Sequence, residues 1–212
     1  MRQLYSYFRS SASCRVRIAL NLKQLDYDTV PVHLAKGAQR SEGYLAVNPA
    51  GLVPTLAEDG HVLTQSLAII EYLDELYPEP PLLPGSAADR ARIRAIAQTI
   101  ACEIHPLNNL GVLGYLRDAL DVDETARNAW YRHWVEKGLA TVESLLADPR
   151  SGAFCHGDAP TLADCCLVPQ VFNARRFTCR LDHVPTVMRI FDRCMALEAF
   201  QRAAPAAQPD AE

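Results

Sequence analysis

A proline-rich segment divides the chain into two parts with different patterns. Residues 78–85 form the sequence Pro-Glu-Pro-Pro-Leu-Leu-Pro-Gly, which can continue neither a helix nor a central strand. Before this segment, short extended stretches alternate with helical ones, whereas no convincing alternation of period two recurs after it. We therefore predict an α/β domain over residues 1–80, a linker over 81–87 and an all-helical domain over 88–212.

The first eighty residues have the pattern of a βαβ unit followed by a hairpin and a helix. Asp59-Gly60 marks the hairpin turn, and Ser66 is predicted to cap the last helix. The βαβ unit implies two parallel strands. The predicted elements are, in order, a strand over 4–8, a helix over 13–23, a strand over 27–34, strands over 53–56 and 61–64, and a helix over 67–76.

The helix predicted over 13–23 has an amphipathic pattern. Apolar side chains recur at helical spacing and are set against three cations, Arg15, Arg17 and Lys23. This pattern predicts a helix with the three cations set against its apolar side chains.

The second part of the chain shows long helical patterns over residues 89–116 and 124–146. Pro106 removes a backbone hydrogen bond within the first of these and is predicted to kink it. Thr161 and Asp164 have the spacing of a capping box ahead of an apolar run. Residues 202–212 lack apolar periodicity and are predicted to fray.

Charge and cysteine content exclude several classes of function. Twenty-one Lys and Arg against 25 Asp and Glu give a net charge of -4, which argues against binding to nucleic acid or to anionic membranes. The seven cysteines lack the spacing of metal ligands, so we predict reduced thiols and no metal site. With no signal-like start and no long apolar stretch, a cytoplasmic protein is expected.

One motif points to a known family. Residues 10–20, Ser-Ser-Ala-Ser-Cys-Arg-Val-Arg-Ile-Ala-Leu, closely resemble the signature Ser-Ser-Cys-x-x-Arg-Val-Arg-Ile-Ala-Leu of the zeta-class glutathione transferases, the maleylacetoacetate and maleylpyruvate isomerases. Further matches extend this resemblance over nearly the whole chain. They are Asn48-Pro49, Val53-Pro54-Thr55-Leu56, residues 65–73, residues 103–109, Leu162-Ala163-Asp164 and Pro169-Gln170-Val171.

The resemblance implies a thioredoxin-like N-terminal domain, an all-α C-terminal domain and glutathione as cofactor. Ser10 and Ser11 lie at the predicted junction of a strand and a helix, where unpaired N–H groups and the helix dipole favour an anion. A thiolate is such an anion, and a hydroxyl that donates to its sulfur lowers the pKa of the thiol. Ser10 is therefore predicted to stabilise the glutathione thiolate, with Ser11 in support.

Other glutathione contacts follow from the matched positions. Gln65 and Ser66 begin a helix whose N–H groups suit the γ-glutamyl carboxylate, and an ordinary helix cap is compatible with that role. The resemblance places Val53 at the cysteinyl part, where the family uses a cis-proline, and Gln39 at the glycine end. It also places Glu103 where a helix of a partner subunit meets the γ-glutamyl amine, although an ordinary solvated helix residue is the alternative.

Two further polar residues and two arginines complete the predicted site. His105 and Asn109 are four residues apart, hence predicted to share one helical face, and are assigned to glutathione binding rather than catalysis. Arg9 and Arg176 are assigned to the carboxylates of the substrate, because guanidinium groups pair with carboxylates in a bidentate manner. Arg175, adjacent on the predicted helix, is expected to remain at the surface.

Two positions depart from the family pattern. Ala12 replaces the cysteine of the signature, which excludes a cysteine-based mechanism at that position. Gly111 stands where some maleylpyruvate isomerases place an arginine, which favours maleylacetoacetate as the substrate.

The resemblance implies a homodimeric enzyme that isomerises maleylacetoacetate to fumarylacetoacetate in aromatic catabolism. Maleylpyruvate, in gentisate breakdown, is the alternative substrate. Conjugation or dehalogenation of small α-haloacids is a second alternative, and a non-catalytic binding module is a third.

Overall fold

The computed structural model describes residues 2–212, which form two compact units. Met1–Leu82 and Met195–Glu212 make up the first unit, and Leu83–Cys194 the second. The boundary at Leu82 falls within the linker predicted over residues 81–87. The prediction that the helical domain runs to residue 212 is wrong, because the last eighteen residues pack with the first unit.

The first unit contains a four-stranded sheet in the order β2-β1-β3-β4. Strand β1 pairs in parallel with β2, and β3 is antiparallel to both β1 and β4. The elements of this unit are β1 (Gln3–Ser6), α1 (Ser11–Leu22), β2 (Asp28–Pro31), α2 (Glu42–Val47), β3 (Thr55–Glu58), β4 (His61–Thr64) and α3 (Ser66–Leu76), with short 3₁₀ turns at Leu34–Lys36, Ala38–Arg40 and Pro205–Ala207.

The register brings four chain segments to one end of this sheet. Ser6 pairs with Pro31, so β1 and β2 finish together, and the start of β3 at Thr55 lies beside Tyr5 and beside Thr64, the last residue of β4. We call this the site end of the sheet, because the chain leaves β1 toward Ser10, leaves β2 toward Gln39, enters β3 from Val53 and leaves β4 toward Gln65.

Helix α1 and its C-cap residue carry three buried cations, so the side of the helix set against the apolar residues is not solvated. Arg15, Arg17 and Lys23 are 2%, 0% and 6% exposed. The Lys23 ammonium donates to the Asp74 carboxylate of α3 at 2.7 Å and to two backbone carbonyls. Partners of this kind compensate the desolvation of a charge, so the alternation of charge along α1 does not mark a solvated face.

The C-terminal residues are held against the same unit, and the predicted fraying is wrong. Helix α10 (Glu198–Ala203) packs on α1, with Phe200 and Ala203 fully buried. The Arg17 guanidinium donates to the Ala203 carbonyl, to the carbonyls of Tyr7 and Phe8, and to the Ser6 hydroxyl, at 2.9–3.4 Å.

Side chains beyond α10 contribute further contacts. The Asp210 carboxylate accepts from the Phe8 N–H at 3.0 Å, and Glu212 pairs with Lys36 at 2.9 Å and lies 3.1 Å from the His33 ring nitrogen. Polar contacts such as these leave no apolar periodicity in the sequence.

The second unit is helical, as predicted. Its helices are α4 (Ala87–Gln98), α5 (His105–Asn108), α6 (Leu110–Asp118), α7 (Glu124–Leu146), α8 (Leu162–Arg176) and α9 (Pro185–Met195), the last of which reaches the unit boundary. The capping box is present, because the Asp164 carboxylate accepts from the Thr161 N–H and hydroxyl, both at 2.8 Å. Of the helices formed by residues 2–212, none has the length and apolar content that crossing a bilayer requires.

The helix predicted over residues 89–116 is interrupted in two places. A wider π-helical turn, Thr99–Ile104, separates α4 from α5, and Asn109 has an extended backbone between α5 and α6. The Asn109 side chain caps α6 by accepting from the Val112 N–H at 2.9 Å. His105 and Asn109 therefore do not share one helical face, and that prediction is wrong.

Gly138 on α7 allows the π-helical turn to approach closely. A Cβ at this position would overlap the Ile104 side chain, which is 1% exposed and has no free space to enter. We expect Gly138→Ala to lower the free energy of unfolding by about 1–3 kcal/mol, measured by urea denaturation.

Gly114 on α6 is the matched control for Gly138, because a Cβ there meets nothing within 4 Å. Gly114→Ala is expected to stabilise the protein by up to about 1 kcal/mol through helix propensity. Equal effects of the two substitutions would contradict the packing explanation.

Candidate glutathione-binding site

The junction of β1 and α1 places Ser10 at a helix start. Ser10 is the N-cap of α1, and its Oγ accepts from the Ser13 N–H at 3.1 Å. The cap bond uses a lone pair of the hydroxyl, so its proton remains able to donate outward. A partly exposed hydroxyl donor at the positive end of a twelve-residue helix suits a thiolate.

Ser11 and Cys14 have different surroundings from Ser10. Ser11 is the first residue of α1, 6% exposed, and its Oγ has no hydrogen-bond partner among the described residues. The Cys14 thiol is 1% exposed and contacts the Ala203 carbonyl at 3.3 Å, and its burial raises its pKa above the usual value. Cys14 is thus an inert thiol of the core and does not take the role of the signature cysteine, whose position Ala12 occupies.

The start of α3 is a second place suited to an anion. Gln65 occupies the N-cap position with φ 69°, ψ 114° and no side-chain cap bond, while Ser66 is the first helical residue, so the prediction that Ser66 caps this helix is wrong. A non-glycine residue in the left-handed region is costly and marks functional sites. The first N–H groups of α3 have no side-chain acceptor at the cap and suit a carboxylate.

Arg15 contacts this second place from the interior. Its Nη1 donates to the Ser66 Oγ at 3.1 Å, while its Nε and Nη2 have no partner among the described residues. Arg15 is not among the site residues predicted from the sequence. A cation within the apolar pattern of this helix is the signal that could have identified it.

A hydrogen-bonded loop positions Val53. The Val53–Pro54 peptide bond is cis, and Val53 is buried in a cluster with Tyr7, Phe8, Val32 and Tyr44. The Asn48 amide and the Tyr44 hydroxyl donate to the Leu52 carbonyl at 2.8 and 2.5 Å. Asn48 matches the family motif, and its role in this structure is to hold the loop that leads to Val53.

Gln39 lies in the 3₁₀ turn Ala38–Arg40, which packs against the same loop. Its carbonyl oxygen lies 3.1 Å from the position of a Cβ at Gly51, whose φ of 61° and close approach both favour glycine. The side-chain Oε1 is buried and has no partner among residues 2–212, so it is free to accept from a ligand. Gln39 thus joins Ser10, Val53 and Gln65 at the site end of the sheet.

The remaining predicted residues lie in the second unit or at the surface of the first. Glu103 is exposed in the π-helical turn, and His105 is half-buried at the start of α5. Arg9 is exposed, and its guanidinium lies 4.8 Å from the centre of the Phe8 ring.

Arg175 and Arg176, at the end of α8, are both exposed. The Arg175 guanidinium lies over Phe191 and 3.9 Å from the Asp192 carboxylate. Arg176 lies over Phe177 at 4.8 Å, and no carboxylate pairs with it among the described residues. Of the two, Arg176 is the one whose charge is free for a ligand.

Comparisons with known proteins show the family and the fold of this chain. Residues 4–81 match the family model of the glutathione S-transferase N-terminal domain, and residues 123–196 match that of the C-terminal domain. The chain is 50% identical over 209 residues to the maleylpyruvate isomerase of Ralstonia sp, covering 98% of this chain and 99% of that protein.

Two solved structures extend the comparison. A maleylpyruvate isomerase described as a bacterial zeta-class glutathione S-transferase has a TM-score of 0.97 and 49% identity, over 99% of this chain and 100% of that one. A maleylacetoacetate isomerase from Anaeromyxobacter dehalogenans 2CP-1, with dicarboxyethyl glutathione and citrate bound in its active site, has a TM-score of 0.89 and 44% identity, over 100% of this chain and 98% of that one. The chain therefore belongs to the glutathione S-transferase family, in its zeta class.

Proposed function

We propose that the protein is a glutathione-dependent cis–trans isomerase that converts maleylacetoacetate to fumarylacetoacetate. The observation that carries the proposal is the meeting of Ser10, Gln39, Val53 and the Gln65–Ser66 helix start at the site end of the sheet. The relative from Anaeromyxobacter dehalogenans supports it, because its ligand is glutathione that carries a dicarboxylate substituent.

The residues of the first unit fit glutathione. Two helix starts provide donors for the thiolate and for the γ-glutamyl carboxylate, and buried polar atoms of Ser11, Arg15 and Gln39 have no partner among the described residues. When bound, glutathione supplies a thiolate that adds reversibly to a cis carbon–carbon double bond and thereby permits rotation about it.

Ser10 acts on the sulfur in this proposal. Its hydroxyl donates to the thiolate, which keeps the thiol deprotonated and stabilises it again as a leaving group. Ser11 supports the same anion from the first turn of α1. Because the cap bond to Ser13 fixes the Ser10 oxygen, the donor is oriented before any ligand binds.

The other assigned residues bind and orient. Ser66 and the start of α3 hold the γ-glutamyl carboxylate, the Val53 backbone holds the cysteinyl part, and Gln39 contacts the glycine end. Glu103 is assigned to glutathione by the family resemblance, and His105 and Asn109 by the polar groups they offer, with the Asn109 Oδ1 already engaged as a helix cap.

Arg9 and Arg176 are assigned to the substrate, because both are exposed guanidinium groups without a carboxylate partner among the described residues. Bidentate pairing with substrate carboxylates fixes the maleyl group, and the positive charge stabilises the oxyanion that develops beside the double bond.

Maleylpyruvate is the alternative substrate, and both isomerases occur among the relatives. Gly111, exposed on α6, lacks the arginine that some maleylpyruvate isomerases place there, which favours maleylacetoacetate. Conjugation or dehalogenation of small α-haloacids is a second alternative activity for the same site.

The test is the ultraviolet decay of each dioxo acid in separate assays, with and without catalytic glutathione. We expect turnover far above the amount of glutathione present, and a higher kcat/KM for maleylacetoacetate. In a parallel assay with a small α-haloacid and glutathione, a stable thioether or released halide as the main product supports the transferase alternative. Binding of glutathione without reaction of either dioxo acid contradicts the isomerase proposal.

We further propose that the protein is a cytoplasmic homodimer, as the family resemblance implies. Sedimentation equilibrium at micromolar concentration tests the oligomeric state, and a particle with the mass of a single 23.4 kDa chain contradicts it.

A further inference from the structure

Arg15 is a buried cation without an adequate structural explanation. It is 2% exposed, its only hydrogen bond joins Nη1 to the Ser66 hydroxyl, and no carboxylate pairs with it among residues 2–212. Its Nε and Nη2 are buried and have no hydrogen-bond partner within the described part of the chain. Because an uncompensated buried charge is costly, a guanidinium in this state indicates that a negative charge from outside the chain is held close to it.

The other buried cations of α1 do not share this feature. Arg17 donates to three backbone carbonyls and the Ser6 hydroxyl, and Lys23 pairs with Asp74 of α3. Lys23–Asp74 and Arg15–Ser66 thus join the same two helices at opposite ends, but only the first is a charge pair. Packing of α1 against α3 therefore accounts for Lys23 and leaves the charge of Arg15 unexplained.

The geometry at Ser66 indicates where the missing anion binds. Ser66 is the first residue of α3, and its oxygen accepts from Arg15, so its hydroxyl proton is directed away from the guanidinium. A hydroxyl that accepts from a cation is polarised into a stronger donor. The guanidinium charge adds to the positive end of the α3 dipole, where no side chain of the described residues caps the first N–H groups.

We propose that Arg15 is a positioning residue for the γ-glutamyl group of glutathione, acting through the Ser66 hydroxyl and supplying the buried countercharge for the ligand carboxylate. This inference rests on the proposed glutathione-binding function. It assigns Arg15 to the γ-glutamyl half of the glutathione site, as a residue that does not touch the ligand. Ser66 and the start of α3 bind the carboxylate directly.

Isothermal titration calorimetry with three probes tests the proposal. The probes are glutathione, γ-glutamylcysteine, which lacks the glycine, and cysteinylglycine, which lacks the γ-glutamyl group. Arg15→Met is expected to raise the Kd for glutathione and γ-glutamylcysteine about tenfold, which corresponds to about 1.4 kcal/mol. The Kd for cysteinylglycine, and kcat at saturating glutathione, are expected to change by no more than about twofold.

Two further variants separate charge from shape and keep the test valid if Arg15→Met fails to fold. Arg15→Lys keeps the charge and is expected to restore much of the affinity for γ-glutamylcysteine, whereas Arg15→Gln keeps a donor for Ser66 and loses the charge. Arg15→Gln is expected to raise the Kd for γ-glutamylcysteine by a clearly smaller factor in a Ser66→Ala background than in the wild type, because the effects of substitutions within one network are not additive.

Lys23→Met is the matched control, since it removes a buried cation from the other end of the same helix. It is expected to lower stability while leaving the Kd values for all three probes unchanged. The proposal is overturned if Arg15→Gln binds γ-glutamylcysteine as tightly as the wild type does. It is also overturned if Arg15→Gln weakens the binding of cysteinylglycine as much as that of γ-glutamylcysteine. A wild-type protein that binds no glutathione overturns both this proposal and the proposed function.

Discussion

Ser10→Ala is expected to lower kcat about 100-fold, the usual effect of removing one hydrogen-bond donor from an anion that an enzyme stabilises. The Kd for glutathione is expected to change by no more than about threefold, because the γ-glutamyl and glycine ends keep their contacts. The pKa of the thiol of bound glutathione is expected to rise. Titration of the thiolate absorbance in the ultraviolet measures this rise. Steady-state kinetics with maleylacetoacetate and calorimetry with glutathione provide the two other measurements.

Loss of the helix cap must be separated from loss of the donor. Ser10 caps α1, and replacing a serine cap costs about 1 kcal/mol by itself. Ser41 caps α2 in the same unit, with its Oγ accepting from the Tyr44 N–H at 3.3 Å. Ser41→Ala is expected to lower stability to a similar degree and to retain kcat. Equal losses of kcat and glutathione affinity in Ser10→Ala would contradict the role assigned to its hydroxyl.

Arg17→Met is expected to lower the free energy of unfolding by about 3–5 kcal/mol, the effect of disrupting a fully buried charged network. The Tyr7, Phe8 and Ala203 carbonyls would lose a donor in the interior, where replacement by water is prevented. Urea denaturation followed by circular dichroism measures this loss.

Arg90→Met is the control for Arg17, because Arg90 donates to the Gly85 carbonyl at 2.6 Å in an exposed position. Its expected cost is at most about 1 kcal/mol, since water can replace the lost donor. A similarly small effect for Arg17→Met would show that its hydrogen bonds only balance the cost of burying its charge.

Local patterns in the sequence were sufficient to predict many of the elements. Helix α7 spans Glu124–Leu146, the range that its apolar periodicity predicts, and the hairpin strand His61–Thr64 follows the Asp-Gly turn. The Thr161–Asp164 capping box is present as well. Each of these signals is contained within a few consecutive residues, so no knowledge of distant contacts is required.

The errors occur where distant contacts decide. The cations of α1 are buried because carbonyls, a hydroxyl and a carboxylate from other elements surround them, and a helical wheel contains none of those partners. The π-helical turn Thr99–Ile104 and the break at Asn109 likewise leave no clear periodicity signal, so the sequence predicts one kinked helix.

The site residues show the same division. Ser10 and the Gln65–Ser66 helix start could be predicted as candidates, because strand-to-helix junctions and a motif identify helix starts, and their glutathione-binding roles stay predictions. Arg15 could not, since its relation to Ser66 depends on how α1 and α3 pack. Glu103, His105, Asn109 and Arg176 stay predictions.

The return of the chain to the first unit has a consequence for synthesis. Domains generally fold in the order in which the ribosome makes them. Here the Arg17 guanidinium cannot bind the Ala203 carbonyl, and α1 cannot pack on α10, until all of Leu83–Cys194 has been translated. The glutathione-binding unit begins first and is completed last, so a nascent chain forms the contacts between α1 and α10 only after its helical unit has been made.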